Sequence, residues 1–92
     1  MNPYRSELMP HFLMLYRKLP LDVRERARRA YRVWHENPDL PGLRFKRLST
    51  TTPLCSVRID AQYRAVGLIR GNLIRWDFIG HHNAYSAYLD DH

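Results

Sequence analysis

Apolar side chains recur at steps of three and four residues through the first part of the chain, which is the spacing of one face of an α-helix. Pro20 interrupts this spacing, because proline disrupts a helix interior but is tolerated in the first turn of a new helix. Two amphipathic helices forming a hairpin are therefore expected, the first with Ser6 as its N-cap. Their apolar positions are Leu8, Phe12, Leu15, Tyr16 and Leu19, then Val23, Ala27, Ala30, Tyr31 and Trp34.

The periodicity changes after residues 37–42, where two prolines and a glycine end the helical spacing. Four short strand-like segments follow, and the short links between them favour antiparallel hairpins. In the last segment Ile74, Trp76 and Phe78 alternate with Arg75 and Asp77, so one sheet face is expected to be apolar and the other polar. The predicted strands are Leu43 to Leu48, Leu54 to Asp60, Tyr63 to Arg70 and Leu73 to Gly80, with a short helix Asn83 to Leu89 after them.

These elements predict one α+β domain over residues 1–92, a length within the range of a single domain. The N-terminal helical hairpin packs on a small antiparallel sheet of about four strands, and a short helix ends the chain. The hairpin must bury its apolar stripe, so it is expected to cover the apolar face of the sheet. The polar face is then left open and is the candidate functional surface.

The net charge of the chain indicates which classes of molecule it binds. The chain carries thirteen Arg and two Lys against nine acidic residues, a net charge of +6 with a pI near 10.0. Such a field attracts nucleic acid or an acidic protein, and arginine favours phosphate recognition because its planar fork of donors matches a phosphate. Genomic base composition is an alternative source of the arginine bias.

Several classes of function are excluded or disfavoured. Cys55 is the only cysteine, so an internal disulfide and a cysteine-based metal cluster are impossible; a buried, inert thiol is expected in a reducing cytoplasm. The histidines show no strong zinc spacing, so we expect no metal and no other cofactor. The longest apolar run is too short to cross a bilayer and no signal-peptide pattern opens the chain, which predicts a cytoplasmic protein without membrane association.

The polar face offers groups for phosphate chemistry. Arg58, Arg64 and Arg75 lie on or at the edges of adjacent predicted strands, where side chains on one face converge on a single phosphate. The alternative is a scatter of surface arginines with Asp60 and Asp77 as their ion-pair partners. Lys46 shares the predicted face and, with Arg44, is assigned to binding a phosphate backbone.

The segment after the last strand supplies groups that exchange protons. His81 and His82 are adjacent, and at most one of them is expected to face the site. His82 stands three residues before Tyr85, so a helix beginning there puts the imidazole and the phenol on one face. The rival interpretation is a capping histidine with Tyr85 and Tyr88 packed as core aromatics.

The order of these motifs resembles the RelE/ParE toxins of bacterial type II toxin–antitoxin systems. The matching motifs are Leu-Arg-Phe-Lys-Arg-Leu from Leu43, Val-Arg-Ile-Asp from Val57, Tyr63-Arg64-Ala-Val-Gly and Ile79-Gly80-His-His-Asn-Ala-Tyr. The resemblance implies an antiparallel sheet carrying two N-terminal helices, and an acidic antitoxin that wraps the basic toxin. The family's usual first strand is expected to be absent, because the N-terminus is short and interrupted by Pro3.

The resemblance also assigns roles. In the RNA-cutting branch of the family, Arg64 corresponds to the arginine that stabilises the scissile phosphate, and Arg58 to a basic residue on the preceding strand. His81 or His82 corresponds to the imidazole after the Ile-Gly step, with His82 the better match, and the terminal tyrosine corresponds to Tyr85 or Tyr88. The catalytic set is thus Arg58, Arg64, His82 and Tyr85, and the RNA-binding set is Lys46, Arg44, Arg75 and His81.

Three functions remain in view. The first is a ribosome-dependent mRNA endonuclease, a metal-independent hydrolase that stops translation and is neutralised by the antitoxin. The second is a ParE-like inhibitor of DNA gyrase, which cuts no RNA and needs no catalytic geometry at the histidines. The third keeps only antitoxin binding, with repression of the pair's own operon. The imidazole-rich terminus favours the first.

Overall fold

Three α-helices and a five-stranded mixed sheet make up the chain over residues 2–48 and 51–91, the part that this computed structural model describes. The strand order across the sheet is β1-β5-β4-β3-β2. The α+β class predicted from the sequence is confirmed. In chain order the elements are β1 (Arg5–Leu8), α1 (Pro10–Arg17), α2 (Leu21–Glu36), a 3-10 turn (Pro41–Leu43), β2 (Lys46–Arg47), β3 (Leu54–Arg58), β4 (Tyr63–Arg70), β5 (Leu73–His81) and α3 (His82–Asp90).

A proline stands at the start of each helix of the hairpin. Pro10 is the first residue of α1, and Pro20 is the N-cap of α2. Proline suits both positions because its missing N–H would have no partner in the first turn of a helix. The predicted cap at Ser6 is wrong: Ser6 lies in β1, and its hydroxyl is hydrogen-bonded to the Tyr31 hydroxyl on α2.

The N-terminal strand corrects the sequence prediction of about four strands. β1 runs parallel to β5, with Arg5 opposite Leu73 and Leu8 opposite Trp76, so the family's first strand is present. Its four residues mix polar and apolar side chains and are mostly exposed. The strand is held by backbone pairing rather than by an apolar pattern, which is why periodicity did not reveal it.

A β-bulge in β5 overturns the predicted alternation of that strand. Val66 pairs with Phe78 and Gly67 pairs with Trp76, so Asp77 has no partner on β4. One extra residue moves every later side chain to the opposite face. The prediction that Phe78 shares a face with Trp76 is therefore wrong. Phe78 lies on the opposite face, which was expected to be polar.

Two apolar clusters lie on opposite faces of the sheet. The larger one packs Phe12, Ala27, Ala30 and Trp34 of the hairpin against the sheet, as predicted. The smaller one joins Leu54, Val66 and Phe78 of the sheet to α3. The polar face is consequently not open along its whole length, because α3 covers its middle. The α3 side chains in this smaller cluster are Tyr85, Tyr88 and Leu89.

Cys55 lies in β3 and is fully buried in the larger cluster, as the sequence predicted. Burial raises the pKa of its thiol from 9.0 to about 11, although a backbone hydrogen bond with Gly67 and the charge of Arg47 lower it in part. The thiol is therefore held in its unreactive, protonated form. Across residues 2–48 and 51–91, no helix has the length and apolar character needed to cross a membrane.

Candidate functional site: an opposed arginine pair beside the start of the last helix

Arg58 and Arg64 face each other across the β3–β4 pair, where their backbones are directly opposite in the antiparallel register. Like charges at such positions repel, because side chains on directly opposite residues lie about 5 Å apart at their Cβ atoms. Both side chains are half-buried. The Arg58 side chain makes no hydrogen bond or ion pair with any other described residue, so it has unused capacity for an anion.

Arg64 is held by the turn that joins the two strands. Its Nη1 donates to the carbonyl oxygens of Asp60 at 2.6 Å and Tyr63 at 3.0 Å. The Asp60 carboxylate organises the same turn, accepting the backbone N–H groups of Gln62 at 2.8 Å and Tyr63 at 2.9 Å. Its other oxygen accepts Arg26 of α2 at 3.3 Å. Asp60 therefore neutralises neither member of the opposed pair.

The two histidines stand at the same end of the sheet. Gly80 pairs with Arg64, and His81 pairs with Tyr63, so the strand reaches α3 directly beside the arginine pair. His81 caps α3 by accepting the Asn83 N–H at its Nδ1, 3.2 Å away. His82 is the first residue of the helix, and its N–H donates to the Gln62 carbonyl at 2.7 Å, which ties α3 to the β3–β4 turn.

Gly80 allows this close approach of α3. A Cβ built at Gly80 would lie 2.9 Å from Cζ of Phe78 and 3.6 Å from Cβ of Ala84 on α3. A side chain at Gly80 would therefore require Phe78 to move.

The two tyrosines of α3 have different environments. Tyr85 lies one turn after His82, with ring centroids 6.4 Å apart, and its hydroxyl has no hydrogen-bond partner among the described residues. Tyr88 instead stacks on Phe78 and donates its O–H to the Asp77 carboxylate at 3.0 Å. Burial, and then the hydrogen bond to Asp77 and its charge, raise the pKa of the Tyr88 phenol above its ordinary value. Tyr88 therefore anchors α3 to the sheet.

Asp77, the bulge residue of β5, contacts both α1 and α3. Besides accepting Tyr88, its backbone carbonyl lies 2.9 Å from Nδ1 of His11, the second residue of α1, and its carboxylate is 3.8 Å from the same nitrogen. Sequence reasoning assigned Asp77 only as an ion-pair partner for the surface arginines. Its contacts with α1 and α3 depend on the bulge, which the alternating pattern gave no reason to expect.

The remaining predicted residues do not all gather here. Lys46 pairs with Ser56, two residues from Arg58, and is exposed. Arg75 is opposite Leu68, four residues along β4 from Arg64, a separation of about 13 Å. It forms an ion pair with Glu7 of β1 at 3.4 Å instead.

Arg44 lies outside the sheet, in a left-handed backbone conformation after the 3-10 turn. The structure therefore brings Arg58, Arg64, His81 and His82 to one end of the sheet, with Tyr85 one turn further. It leaves Arg75 at the other end. Within residues 2–48 and 51–91, no three His, Cys, Asp or Glu side chains are grouped so that they would bind a metal ion.

Comparison with known proteins places this fold in a family. A family model described as the ParE-like toxin domain matches residues 21–87, which include β3, β4, β5 and most of α3. The chain belongs to this family. The RelE/ParE resemblance seen in the motifs is thereby confirmed. No curated protein gives a significant sequence match.

Solved structures share the fold at low sequence identity. The RelB–RelE antitoxin–toxin complex from Methanococcus jannaschii matches with a TM-score of 0.69 at 16% identity, covering 88% of this chain and 95% of that chain. YafQ from E. coli matches with a TM-score of 0.71 at 10% identity, covering 89% and 97%. The RelBE2 toxin–antitoxin complex from Mycobacterium tuberculosis matches with a TM-score of 0.67 at 19% identity, covering 87% and 99%.

Proposed function

We propose that this ParE-like toxin is a ribosome-dependent, metal-independent mRNA endonuclease. The observation that carries the proposal is the opposed pair Arg58 and Arg64 at the same sheet end as His82 and Tyr85. Two arginines at directly opposite positions of neighbouring strands repel each other without an anion, and a phosphodiester supplies one. A toxin that acts only by binding a protein does not require proton-transferring groups at the same sheet end as an arginine pair.

Each residue has a defined role in this reaction. The RNA 2'-oxygen attacks the adjacent phosphorus, the bond to the 5'-oxygen breaks, and a 2',3'-cyclic phosphate is formed. Arg58 and Arg64 stabilise the negative charge that grows on the phosphoryl oxygens. His82 and Tyr85 take the proton from the 2'-hydroxyl and return a proton to the departing 5'-oxygen.

Tyr85 rather than Tyr88 is the tyrosine of this mechanism. The Tyr88 O–H is engaged by Asp77, and its raised phenol pKa opposes loss of the proton. The Tyr85 hydroxyl has no protein partner among the described residues. Lys46 and His81 are assigned to binding the RNA backbone around the cleaved bond. Arg44, which lies outside the sheet, and Arg75, about 13 Å from Arg64, are assigned to more distant phosphates.

An acidic antitoxin is the proposed protein partner. The net charge of +6 favours such a partner, and RelB–RelE complexes from Methanococcus jannaschii and Pyrococcus horikoshii share this fold. The ribosome and mRNA are the proposed targets, which requires the free toxin to act in the cytoplasm.

A second candidate function is inhibition of DNA gyrase. The observation that favours it is the ParE-like description of the matching family. In that case the arginine pair contacts an acidic protein surface, and replacing His82 or Tyr85 has little effect.

One experiment separates the two functions. The toxin is induced in cells, and mRNA 5' ends are mapped beside gyrase-linked DNA breaks for the wild type and for Arg64→Ala, His82→Ala and Arg70→Ala. Arg70 lies on the same strand as Arg64 but is exposed at its far end, so its variant is the matched control. Ribosome-phased RNA ends that require Arg64 and His82 but not Arg70 support the endonuclease. DNA breaks with intact messages support the gyrase inhibitor and overturn it.

A further inference from the structure

The N-terminal strand β1 forms one edge of the five-stranded sheet, and only its inner side is paired, with β5. The N–H groups of Arg5 and Met9 donate to carbonyl oxygens on that inner side at 2.7 and 3.0 Å. Backbone groups of alternate residues point to opposite sides of a strand, so the N–H and C=O groups of Ser6 and Leu8 point outward. In the part of the chain that the structure describes, these outward groups have no hydrogen-bond partner. β1 is therefore an open edge to which another strand can add.

The opposite edge of the sheet is β2, whose charge protects it against pairing with a second copy of the chain. β2 has only two residues, Lys46 and Arg47, and both are exposed and basic. Antiparallel pairing of two such strands would place cation opposite cation, which is unfavourable. β1 instead carries one charge of each sign, Arg5 and Glu7, and three of its four residues are exposed. Charge therefore favours β1 as the edge that a second copy pairs with.

The residues of β1 are complementary to themselves in one antiparallel register. Outward-pointing groups must oppose each other in such a pair, so the two-fold axis passes through a residue rather than between two residues. An axis through Arg5 would oppose two guanidinium groups, and an axis through Glu7 would oppose two carboxylates. An axis through Leu8 would oppose Ser6 to Pro10, which has no N–H to donate. An axis through Ser6 places Arg5 opposite Glu7 of the second copy, and symmetry gives this pair twice.

Both faces of the sheet gain a favourable contact in this register. Leu8, which is 40% exposed, lies opposite Tyr4 of the second copy, and Tyr4 packs against the larger apolar cluster on the hairpin face. On the other face Glu7 contacts Arg75 at 3.4 Å, and Arg5 of the second copy brings a second guanidinium group to that carboxylate. Arg5 and Glu7 occupy the non-hydrogen-bonded positions, where the side chains of an antiparallel pair lie closest together.

We propose that two copies of this chain associate through antiparallel pairing of their β1 strands, centred on Ser6, which joins the two sheets into one continuous sheet. Arg58 and Arg64 lie on β3 and β4, which are separated from β1 by at least one strand. Both copies therefore keep the arginine pair outside the interface. The proposal does not rest on the endonuclease function.

A charge swap between two variants tests the proposal on the full chain. Arg5→Glu gives β1 two acidic residues and Glu7→Arg gives it two basic residues, so each variant opposes like charges when it pairs with itself. A mixture of the two variants restores opposite charges at both positions. Arg47→Glu on β2 and Glu36→Arg at the end of α2 make the same charge changes at exposed positions away from this edge, and are the controls. Circular dichroism establishes that each variant is folded.

The assembly is measured by sedimentation velocity at loading concentrations from about 1 to about 500 µM, because a single strand pair is a small interface. The wild type and both controls are expected to show a reversible equilibrium between monomer and dimer. Arg5→Glu and Glu7→Arg are each expected to weaken the dimer by about tenfold or more. Their equimolar mixture is expected to recover a dimer of about wild-type affinity.

Amide hydrogen exchange of the wild type gives a second measurement, which decides the question if a variant does not fold. The outward N–H groups of Ser6 and Leu8 should exchange more slowly as the chain concentration rises, whereas those of Arg5 and Met9 should be protected at every concentration. A chain that stays monomeric throughout would overturn the proposal and leave this edge to a strand of a different protein. A dimer that neither charge variant weakens, a mixture that stays monomeric, or exchange at Ser6 and Leu8 that does not depend on concentration would overturn it as well.

Discussion

Replacing Arg64 by alanine should weaken the fold as well as the proposed chemistry, and the two effects are separable. The substitution removes the hydrogen bonds from Nη1 to the Asp60 and Tyr63 carbonyls. A hydrogen bond from a charged group contributes about 1.5–3 kcal/mol. Because Arg64 is half-buried and a single nitrogen makes both bonds, we expect the lower part of this range for the pair, about 2 kcal/mol.

The assay is equilibrium urea unfolding followed by tryptophan fluorescence, with Arg70→Ala as the control. The Arg70 side chain is exposed and has no hydrogen bond or ion pair among the described residues, so its replacement should change the free energy of unfolding by less than about 0.5 kcal/mol. For a domain of this size, 2 kcal/mol lowers the melting temperature by roughly 8–16 °C. RNA cleavage must therefore be compared at a temperature at which both variants are folded.

Two results would refute this reasoning. If Arg64→Ala unfolds at the same urea concentration as Arg70→Ala, the two carbonyl contacts do not stabilise the β3–β4 turn. If folded Arg64→Ala cleaves mRNA as fast as the wild type, Arg64 is not the residue that stabilises the scissile phosphate. Arg64→Lys keeps the charge but not the fork of donors, so it should recover part of the stability and little of the cleavage.

Three further predictions concern the fold. Gly67→Ala should lose about 1–3 kcal/mol of stability by urea unfolding, since its Cβ would lie 2.6 Å from Cγ2 of Ile74, whereas Gly42→Ala, which meets nothing within 4 Å, should be neutral. Tyr88→Phe should lose about 1 kcal/mol and speed amide hydrogen exchange in α3; unchanged exchange would contradict the anchoring role. Because burial raises the pKa of Cys55 to about 11, stability should be complete below pH 9 and its Cys55 contribution should fall by up to about 3 kcal/mol as pH rises through 11. Cys55→Ala should remove the part of the fall between pH 9 and 10, whereas Tyr88, whose phenol pKa is also raised, still lowers stability above pH 10.

Periodicity alone predicted the parts of the fold that are fixed by burial. The hairpin was expected because apolar residues recur at helical spacing on either side of Pro20, and α1 and α2 are found there. The bounds of β4, Tyr63–Arg70, agree with the prediction residue for residue. The elements that were missed or shortened are held by backbone pairing at the sheet edges, such as β1 and the two-residue β2. Side-chain patterns carry little information about such contacts.

The candidate site was predictable in its residues but not in its arrangement, and the bulge at Asp77 explains the difference. A strictly alternating β5 would leave Phe78 under the hairpin and the polar face open. The extra residue instead turns Phe78 to that face, where Tyr88 stacks on it and α3 covers the middle of the sheet.

By covering the middle of this face, α3 separates the basic residues into two groups. Arg75 is left at one end, where Glu7 neutralises it. Arg58 and Arg64 lie opposite each other at the other end of the sheet. His82, the first residue of α3, lies at that same end, where its N–H donates to the Gln62 carbonyl.

Deleting Asp77 makes Phe78 the direct neighbour of Trp76, so the two rings stay on opposite faces and Phe78 still stacks on Tyr88. Only the Tyr88–Asp77 hydrogen bond is lost on α3, so hydrogen exchange in that helix should rise about as much as in Tyr88→Phe. Loss of protection throughout α3 beyond that of Tyr88→Phe would show that the bulge positions the helix in some way other than by turning Phe78.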